Sequence, residues 1–147
     1  MRLDLHDRMR HRLLELWTPW EGARVFVTGG TGFFGKWLLE SHLWIKRELG
    51  LELSFTILSR DPNRFLGDHP QFDQPSLRFI QGDVSEKIVT EGKFDLMVHA
   101  ATDANASLNR HDPLRMMEVI IQGTRNALEF AVSAGAKRFL MVSSGAV

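Results

Sequence analysis

The sequence predicts an α/β domain built on a parallel sheet, and three observations lead to this prediction. Along the 147 residues, short apolar segments alternate with longer segments that have the spacing of helices. The apolar segments are hydrophobic at successive positions, as is typical of strands covered on both faces. A glycine-rich turn joins the first apolar segment to a helical segment. Right-handed crossovers between such elements give a doubly wound sheet of Rossmann type, with about five strands in the order 3-2-1-4-5.

The composition excludes several classes of protein. Eighteen basic residues balance eighteen acidic ones, so no net charge favours nucleic acid or an anionic membrane, and we expect neither as a partner. No apolar run approaches the roughly 20 residues that a membrane span needs. The chain has no cysteine, which excludes disulfides and thiolate metal sites and fits a reducing compartment. We therefore expect a cytoplasmic protein without a metal site.

The N-terminal residues precede the alternating pattern. Apolar residues at helical spacing, with arginines between them, predict an amphipathic helix over 3–17. The segment Trp17-Thr-Pro-Trp20 then ends this helix. We interpret 1–22 as a helical extension and 23–147 as the Rossmann domain.

The tryptophans suggest how the extension is held. Trp37 and Trp44 lie one heptad apart and therefore share a helix face. We expect Trp17 and Trp20 to pack on this face and clamp the extension to the domain. A dimer contact is the alternative.

The remaining elements follow in strict alternation. Apolar and β-branched segments predict strands over 24–28, 53–59, 77–81, 94–100 and 138–143. Helices are predicted over 33–49 and 85–90, and from an Asp-Pro pair at 112–113, a favoured helix start, to about residue 134. Three of the five prolines fall in 60–76, which predicts a long loop.

The strongest functional signal is VFVTGGTGFFGKW, from Val25 to Trp37. Glycines let a backbone approach a pyrophosphate closely, and the N–H groups at a helix N-terminus bind the anion along a favourable dipole. The glycines fit two spacings: Gly30-x-Gly32-x-x-Gly35, and Gly29-x-x-Gly32-x-x-Gly35. The preceding strand and following helix predict a dinucleotide site rather than a tight turn without a ligand.

The stretch TGGTGFFG also resembles the TGxxGFxG motif of the extended short-chain dehydrogenase/reductases. This NAD(P)-dependent epimerase/dehydratase family consists largely of enzymes of nucleotide sugars. Four further stretches resemble family motifs in the same order along the chain: Gly82-Asp83-Val84, His99-Ala100-Ala101-Thr102, Gly123-Thr124-x-Asn126-x-Leu128 and Ser143-Ser144-Gly145-Ala146-Val147. The resemblance covers 24–147 and implies a chain that ends before the substrate-binding part. Ile120 departs from the pattern, because the family often has Asn there.

The resemblance implies a set of cofactor contacts. The glycine turn would contribute Gly29, Thr31, Gly32, Phe33, Phe34 and Gly35. Asp83 would contact the adenine together with Val84, and Ala100, Ala101, Thr102 and Ser143 would line the rest of the cofactor.

The end of the second strand bears on the choice between NAD and NADP. An acidic residue there would bind the ribose 2′-hydroxyl of NAD. This chain has Ser59 at that position, followed by Arg60 and Asp61. A guanidinium suits a 2′-phosphate, so we favour NADP. In the alternative, Arg60 is a solvated surface charge and Asp61 turns inward to bind the ribose of NAD.

The last residues match the catalytic serine of the family. The resemblance gives Ser144 the role of orienting a substrate hydroxyl or carbonyl, beside a Tyr and a Lys in a YxxxK motif. The chain contains no tyrosine, so we expect it to bind cofactor without turnover. In the alternative, both serines only satisfy backbone groups at the end of a strand.

The next two positions separate reactions within the family. The 4,6-dehydratases carry Asp-Glu there, whereas this chain has Gly145 and Ala146, which cannot perform acid–base chemistry. We therefore expect epimerase or reductase chemistry on a nucleotide sugar. The rival hypotheses are an NADP-binding sensor or scaffold without catalysis, and a protein-interaction domain with an empty cleft.

Overall fold

A computed structural model describes residues 5–101 and 111–143. The sheet has five parallel strands, β1 to β5: Arg24–Thr28, Ser54–Ser59, Leu77–Gln81, Leu96–His99 and Arg138–Met141. Four α-helices, α1 to α4, are described: Leu5–Trp17, Phe33–Leu49, Pro62–Asp68 and Pro113–Ser133. Short 3-10 helices follow α1 and α3, at Thr18–Trp20 and Pro70–Phe72.

The strand order is β3-β2-β1-β4-β5, which confirms the predicted doubly wound topology. β1 is central, and its Val27 is paired with Ile57 of β2 on one side and Val98 of β4 on the other. The order reverses at β1, so the crevice between β1 and β4 is where an open α/β sheet places its ligand.

Two hydrophobic layers cover the sheet. One lies under α2 and α3 and contains Val25, Val27, Leu39, Ile45, Leu49, Leu53, Phe55, Ile57, Phe65, Phe72, Leu77 and Val98. The other lies under α4 and contains Phe26, Leu58, Ile88, Phe94, Met97, Ala127, Phe130, Ala131 and Ala134. Successive residues of β1 therefore point to opposite layers, which explains why its sequence is continuously apolar.

The N-terminal helix packs on the first layer, but not in the way the sequence suggested. Trp17 and Trp20 are partly buried against that layer together with two leucines of α1. The guanidinium of Arg138 lies 4.6 Å from the centre of the Trp20 ring. Trp37 and Trp44 are 65% and 38% exposed and do not belong to the layer. The predicted packing of one tryptophan pair on the other was wrong.

The predicted loop over 60–76 is also wrong, because it contains α3 and a 3-10 helix. Asp61 is the N-cap of α3, where its side chain accepts a hydrogen bond from the backbone N–H of Arg64, and Pro62 occupies the first turn. Phe65 and Phe72 are buried in the first layer. Pro62 and Pro70 therefore begin helices here, as their fixed φ permits, rather than marking irregular chain.

The predicted helix over 85–90 is absent, and these described residues form turns and irregular chain. The carboxylate of Asp83 accepts hydrogen bonds from the N–H and hydroxyl of Ser85, at 2.8 and 2.7 Å. A side chain that binds the nearby backbone in this way competes with helix formation. Ile88 is nevertheless buried in the second layer, so the segment passes over the sheet without helical structure.

Candidate cofactor site

A cavity of about 190 Å³ opens at the carboxyl ends of the strands. Nine of the predicted cofactor-binding residues line it: Gly29, Thr31, Gly32, Ser59, Arg60, Asp83, Val84, Ala100 and Ala101. These residues come from segments that follow or end β1, β2, β3 and β4. The cavity therefore lies at the topological switch point, where the fold places a ligand.

The glycine turn forms the floor of this cavity through close backbone packing. Gly29 has a φ of 73°, and a Cβ added to it would lie 2.4 Å from the carbonyl of Ala100. A Cβ on Gly35 would lie 2.3 Å from the backbone of Gly30. The turn is thus pressed between the end of β4 and the first turn of α2, and a larger residue at either glycine would separate them.

The N-terminus of α2 faces the cavity without a capping side chain. Gly32 is the N-cap, and the first turn contains no acidic residue. The first N–H groups of a helix have no partner within it, and together with the helix dipole they favour an anion. The site therefore fits a pyrophosphate. Because Gly29 makes the turn, Gly32 caps the helix and Gly35 packs under the turn, the geometry supports the spacing Gly29-x-x-Gly32-x-x-Gly35.

The end of β2 presents a cation rather than a carboxylate. Ser59 and Arg60 line the cavity, and Asp61 does not. The Asp61 carboxylate instead accepts a hydrogen bond of 3.0 Å from the backbone N–H of Arg64. The inward-turning Asp61 of the NAD alternative is therefore not what the structure contains.

Asp83 also lines the cavity, and its pKa is lowered, so the carboxylate is ionised. The backbone N–H of Ser85 is the largest influence that lowers the pKa of Asp83, partial burial opposes it, and the Ser85 hydroxyl and the charge of Arg60 lower the pKa further. The carboxylate is thus fixed in its own turn, with a guanidinium close enough to stabilise its charge.

Two hydrogen bonds, one buried and one partly buried, join the ends of β1 and β4. His99 Nδ1 lies 2.7 Å from Thr28 Oγ1, and the same hydroxyl accepts a hydrogen bond of 3.4 Å from the N–H of Ala101. Burial lowers the pKa of His99, so the imidazole is neutral at pH 7. His99 lies in the predicted strand over 94–100 and is 4% exposed. Its contact with Thr28 holds Ala101 against the glycine turn.

The helix motif with Gly123 and Asn126 acts on the loop after β3. Asn126 Nδ2 donates to the carbonyl oxygens of Val84 and Glu86, each at 2.9 Å. A Cβ on Gly123 would lie 3.2 Å from the Val84 side chain. These residues do not line the cavity, but they position the loop that does.

The other predicted residues lie away from the cavity or outside the described residues. Phe33 and Phe34 are 71% and 67% exposed, Gly35 lies beneath the turn, and Ser143 is exposed beyond β5. None of these four lines the cavity. Thr102 and Ser144 lie outside the described residues.

Sequence reasoning missed five lining residues: Thr28, Leu58, Gly82, Val119 and Ile120. The first three directly adjoin predicted residues at strand ends, so their position in the sequence was an available signal. Val119 and Ile120 come from α4 and are brought to the cavity by the packing of that helix. The isoleucine that departed from the family pattern thus supplies part of an apolar wall.

The described residues were also compared with what a metal site and a membrane span require. Among residues 5–101 and 111–143, no group of three or more His, Cys, Asp or Glu residues could hold a metal ion. Within the same ranges, no helix has the length and apolar character to cross a bilayer.

A doubly wound parallel sheet, with its first glycine turn opening onto a cavity at the strand ends, defines a Rossmann-type nucleotide-binding domain. Comparison with known proteins gives the family. Residues 25–147 match the model of the NAD dependent epimerase/dehydratase family, and the chain belongs to this family.

The relatives are enzymes of nucleotide sugars with different reactions. UDP-N-acetylglucosamine 4,6-dehydratase (inverting) of Campylobacter jejuni is 26% identical over 126 residues, which cover 84% of this chain and 36% of the relative. UDP-glucuronic acid decarboxylase 2 of Arabidopsis thaliana is 31% identical over 127 residues, covering 86% and 27% of the two chains.

Solved structures of nucleotide-sugar enzymes superpose on the chain. A UDP-galactose 4-epimerase matches with a TM-score of 0.64 at 26% identity, over 84% of this chain and 39% of the other. The dTDP-glucose 4,6-dehydratase DesIV of Streptomyces venezuelae, with NAD and TYD bound, matches with a TM-score of 0.62 at 27% identity, over 79% and 38%. This chain thus spans between about a quarter and two fifths of the length of these relatives.

Proposed function

We propose that the chain is the cofactor-binding part of an NADP-dependent enzyme that acts on a nucleotide sugar by hydride transfer. The observation that carries this proposal is the uncapped N-terminus of α2, which opens onto a cavity walled by Ser59 and Arg60. The family and its nucleotide-sugar relatives support the substrate class. As part of the same proposal, we place this cysteine-free protein in the cytoplasm.

Residues of the cavity, together with Thr102 and Ser143 from the family motifs, would bind different parts of the cofactor. The glycine turn and the first N–H groups of α2 would hold the pyrophosphate. Asp83 and Val84 would lie along the adenine, and Ala100, Ala101, Thr102 and Ser143 along the remainder. When bound, the nicotinamide supplies the chemistry of hydride transfer, while the protein supplies orientation and proton transfer.

Arg60 would provide the preference for NADP. Arg60 lines the cavity at the end of β2, where an NAD enzyme has a carboxylate for the ribose hydroxyls. Asp61 cannot take that role while its carboxylate caps α3. A phosphate bound by arginine makes charge-assisted hydrogen bonds, which are about twice as strong as neutral ones.

The cofactor preference is tested by calorimetric titration of the chain with NADP and NAD. We expect NADP to bind more tightly, and Arg60→Ala to weaken NADP binding by about 10- to 100-fold, the value of a charge-assisted contact. Binding of NAD should change little. Arg64→Ala is the matched control, because Arg64 lies outside the cavity. Tighter binding of NAD by the unaltered chain would refute the preference.

The reaction would require residues of a longer protein. Ser144 would orient a substrate hydroxyl or carbonyl, with the Tyr and Lys of the family motif supplied after Val147. The 147-residue chain should therefore bind cofactor and show no turnover. Turnover by this chain at the rate of the longer protein would contradict the assigned mechanism.

Within the family we favour an epimerase or a reductase. Gly145 and Ala146 offer no carboxylates for the elimination of water. In the longer protein, we expect incubation with UDP-sugars to give an epimer or a reduced sugar. Formation of a 4-keto-6-deoxy sugar would overturn this preference.

One observation favours a second candidate, a non-catalytic NADP sensor or scaffold. No tyrosine is present among the 147 residues, so the general acid of the family is not supplied by this chain. If the longer protein binds NADP but turns over no nucleotide sugar, the sensor replaces the enzyme.

A further inference from the structure

The N-terminal extension contacts the carboxyl end of α2, the helix whose first turn faces the cofactor cavity. Arg10 Nη2 donates a hydrogen bond of 3.2 Å to the backbone carbonyl oxygen of Glu48, in the last turn of α2. The last four carbonyl groups of a helix have no partner within it, and a cation near them is favourable to the helix dipole. The extension lies outside the family match at 25–147, so its own contacts must indicate its role.

The extension also binds the connection between α2 and β2. The backbone N–H of Glu52 donates to both carboxylate oxygens of Glu21, at 3.3 and 3.1 Å. The carbonyl oxygen of Glu52 accepts a hydrogen bond of 2.7 Å from the N–H of Gly22. A carboxylate that accepts from a backbone N–H makes a charge-assisted bond, which is stronger than a neutral one. Because both backbone groups of Glu52 are bound, the chain is fixed three residues after α2 ends at Leu49.

Packing and a cation–π contact anchor the extension to the sheet. Its apolar side chains pack against the first hydrophobic layer, to which α2 also contributes: Leu13, Leu14, Trp17 and Trp20. Arg138, the first residue of the edge strand β5, lies 4.6 Å from the centre of the Trp20 ring, a favourable contact for a guanidinium. The extension is therefore held by the sheet while it contacts the end of α2.

We propose that the N-terminal extension positions α2 so that the first turn of the helix meets the phosphates of the cofactor. This inference rests on the proposed cofactor function. The 17 residues of α2 form a nearly rigid rod of about 25 Å, so a shift at Glu48 is transmitted to Gly32. A functional site must hold its groups within about 0.5 Å of the productive geometry, so small shifts of α2 matter. Arg10 and Glu21 do not line the cavity and act as positioning residues.

A purely stabilising extension is the rival interpretation, and it predicts a different result. Loss of contacts that only stabilise the fold would lower the free energy of unfolding and leave the affinity of the folded chain for NADP unchanged. A positioning role couples the extension to the cavity, so the affinity of the folded chain itself falls. Titrations under conditions in which the altered chains remain folded, as verified by circular dichroism, separate the two interpretations.

The first test removes the side-chain hydrogen bonds of Arg10 and Glu21. Arg10→Ala/Glu21→Ala should weaken NADP binding about three- to tenfold in calorimetric titration, the range of couplings carried by packed elements. Arg12→Ala/Glu15→Ala is the matched control, because it removes the same residue types and the same charges. Among the described residues, no hydrogen bond or ion pair joins Arg12 or Glu15 to α2, and Glu15 is instead paired with His11 at 3.4 Å.

A conservative variant tests whether the contacts themselves matter. Arg10→Lys/Glu21→Gln keeps a donor and an acceptor at the same places and should recover most of the affinity. The positioning role is refuted if Arg10→Ala/Glu21→Ala binds NADP as tightly as the unaltered chain, or no more weakly than its control. If the unaltered chain binds neither NADP nor NAD, the proposed cofactor function fails and this inference fails with it, so the two failures are distinct.

Hydrogen exchange locates the effect within the folded chain. The N–H of Lys36 bonds to the carbonyl oxygen of Gly32 at 3.0 Å in the first turn of α2, whereas Met97 of β4 is fully buried and its amide reports global unfolding. We expect Arg10→Ala/Glu21→Ala to speed exchange at Lys36 about three- to tenfold more than at Met97. An equal rise at both amides would show a loss of overall stability alone and would overturn the proposal.

Discussion

The N-termini of α2 and α4 differ in what binds the backbone N–H groups of their first turns. Asp112 caps α4, where its side chain accepts a hydrogen bond from the N–H of Arg115, and Pro113 fills the first turn. α2 begins at Gly32 with no capping side chain and no acidic residue in its first turn. One helix thus satisfies its free donors with its own carboxylate, and the other leaves them facing a cavity.

This difference shows that the proposed cofactor site depends on a capping carboxylate that the sequence lacks. A carboxylate at an N-cap stabilises a helix by about 1 kcal/mol, and α2 lacks that stabilisation. Because no side chain caps α2, its first N–H groups and the positive end of its dipole remain available to a phosphate. Tight packing of the glycine turn against Ala100 and α2 supports the helix end in place of a cap.

The largest effect is expected when that packing is broken. Gly35→Ala places a Cβ 2.3 Å from the backbone of Gly30, so α2 must move away from the turn. We expect a loss of about 1–3 kcal/mol in the free energy of unfolding and loss of measurable dinucleotide binding. Gly67→Ala in α3 is the control, because a Cβ there meets nothing within 4 Å, and it should stabilise slightly. Urea unfolding and titration with NADP measure both, and unchanged binding in Gly35→Ala would contradict the packing argument.

A second substitution makes α2 resemble α4. Gly32→Asp supplies a capping carboxylate at a φ of −79°, which any residue adopts, and its Cβ would lie 3.2 Å from the carbonyl oxygen of Gly29, which must shift by a few tenths of an ångström. Its negative charge would meet the phosphates, so we expect NADP affinity to fall at least tenfold, with stability changed by less than about 1 kcal/mol. Gly32→Asn caps the helix without the charge and should bind NADP more tightly than Gly32→Asp. Equal affinities would show that the helix end does not face the phosphates.

The anchoring of α2 to the sheet predicts a dependence of stability on pH. His42 is 2% exposed, and its Nε2 lies 2.9 Å from Ser76 Oγ. Burial is the main cause that lowers the pKa of His42, the charge of Lys46 adds to it, and Glu52 opposes it.

Because the folded pKa lies below the ordinary value of 6.5, the unfolded chain binds more protons than the folded one as the pH falls. The stabilisation is complete above pH 6.5 and decreases as the pH drops from there towards the folded pKa. His42→Gln can keep the contact with Ser76 and should flatten this dependence in urea unfolding between pH 7.5 and 5. The same change at the exposed His11 is the control for the substitution itself. An unchanged slope in His42→Gln would exclude His42 as a source.

The smallest effect on stability is expected at Asp112, the N-cap of α4. Asp112→Ala leaves the N–H groups of α4 without their carboxylate and should cost about 1 kcal/mol of unfolding free energy. Asp112→Asn can still cap the helix and should recover most of it. Neither change should alter NADP affinity, since Asp112 does not line the cavity. A large loss of NADP affinity in Asp112→Ala would show that the two helix ends are not independent.

Local sequence signals gave most of the fold, and the exceptions are instructive. The Asp-Pro pair at 112–113 was interpreted as a helix start, and α4 begins there. The same pair at 61–62 begins α3, but the prolines around it were interpreted as a loop. The helix expected over 85–90 failed because Asp83 binds Ser85 and holds a turn.

In the candidate site, too, local motifs indicated most residues, and contacts between distant residues decided the others. The glycine turn, the end of β2 and the end of β4 were each marked by a short motif, and the cavity brings them together. The contact between Thr28 and His99 joins residues 71 positions apart, and no local pattern indicates it. Val119 and Ile120 reach the cavity through the packing of α4, in which Asn126 and Gly123 contact the loop after β3.

The sequence by itself determined the alternation of strands and helices, the glycine turn and the lack of a carboxylate at Ser59, because each depends on neighbouring residues. The tertiary structure decided that Gly29 makes the turn, that Asp61 caps a helix while Arg60 lines the cavity, and that Trp37 and Trp44 remain exposed. These outcomes depend on which elements are adjacent in the sheet and on its two layers. Burial and hydrogen bonding between distant segments set them, and those interactions exist only once the chain has folded.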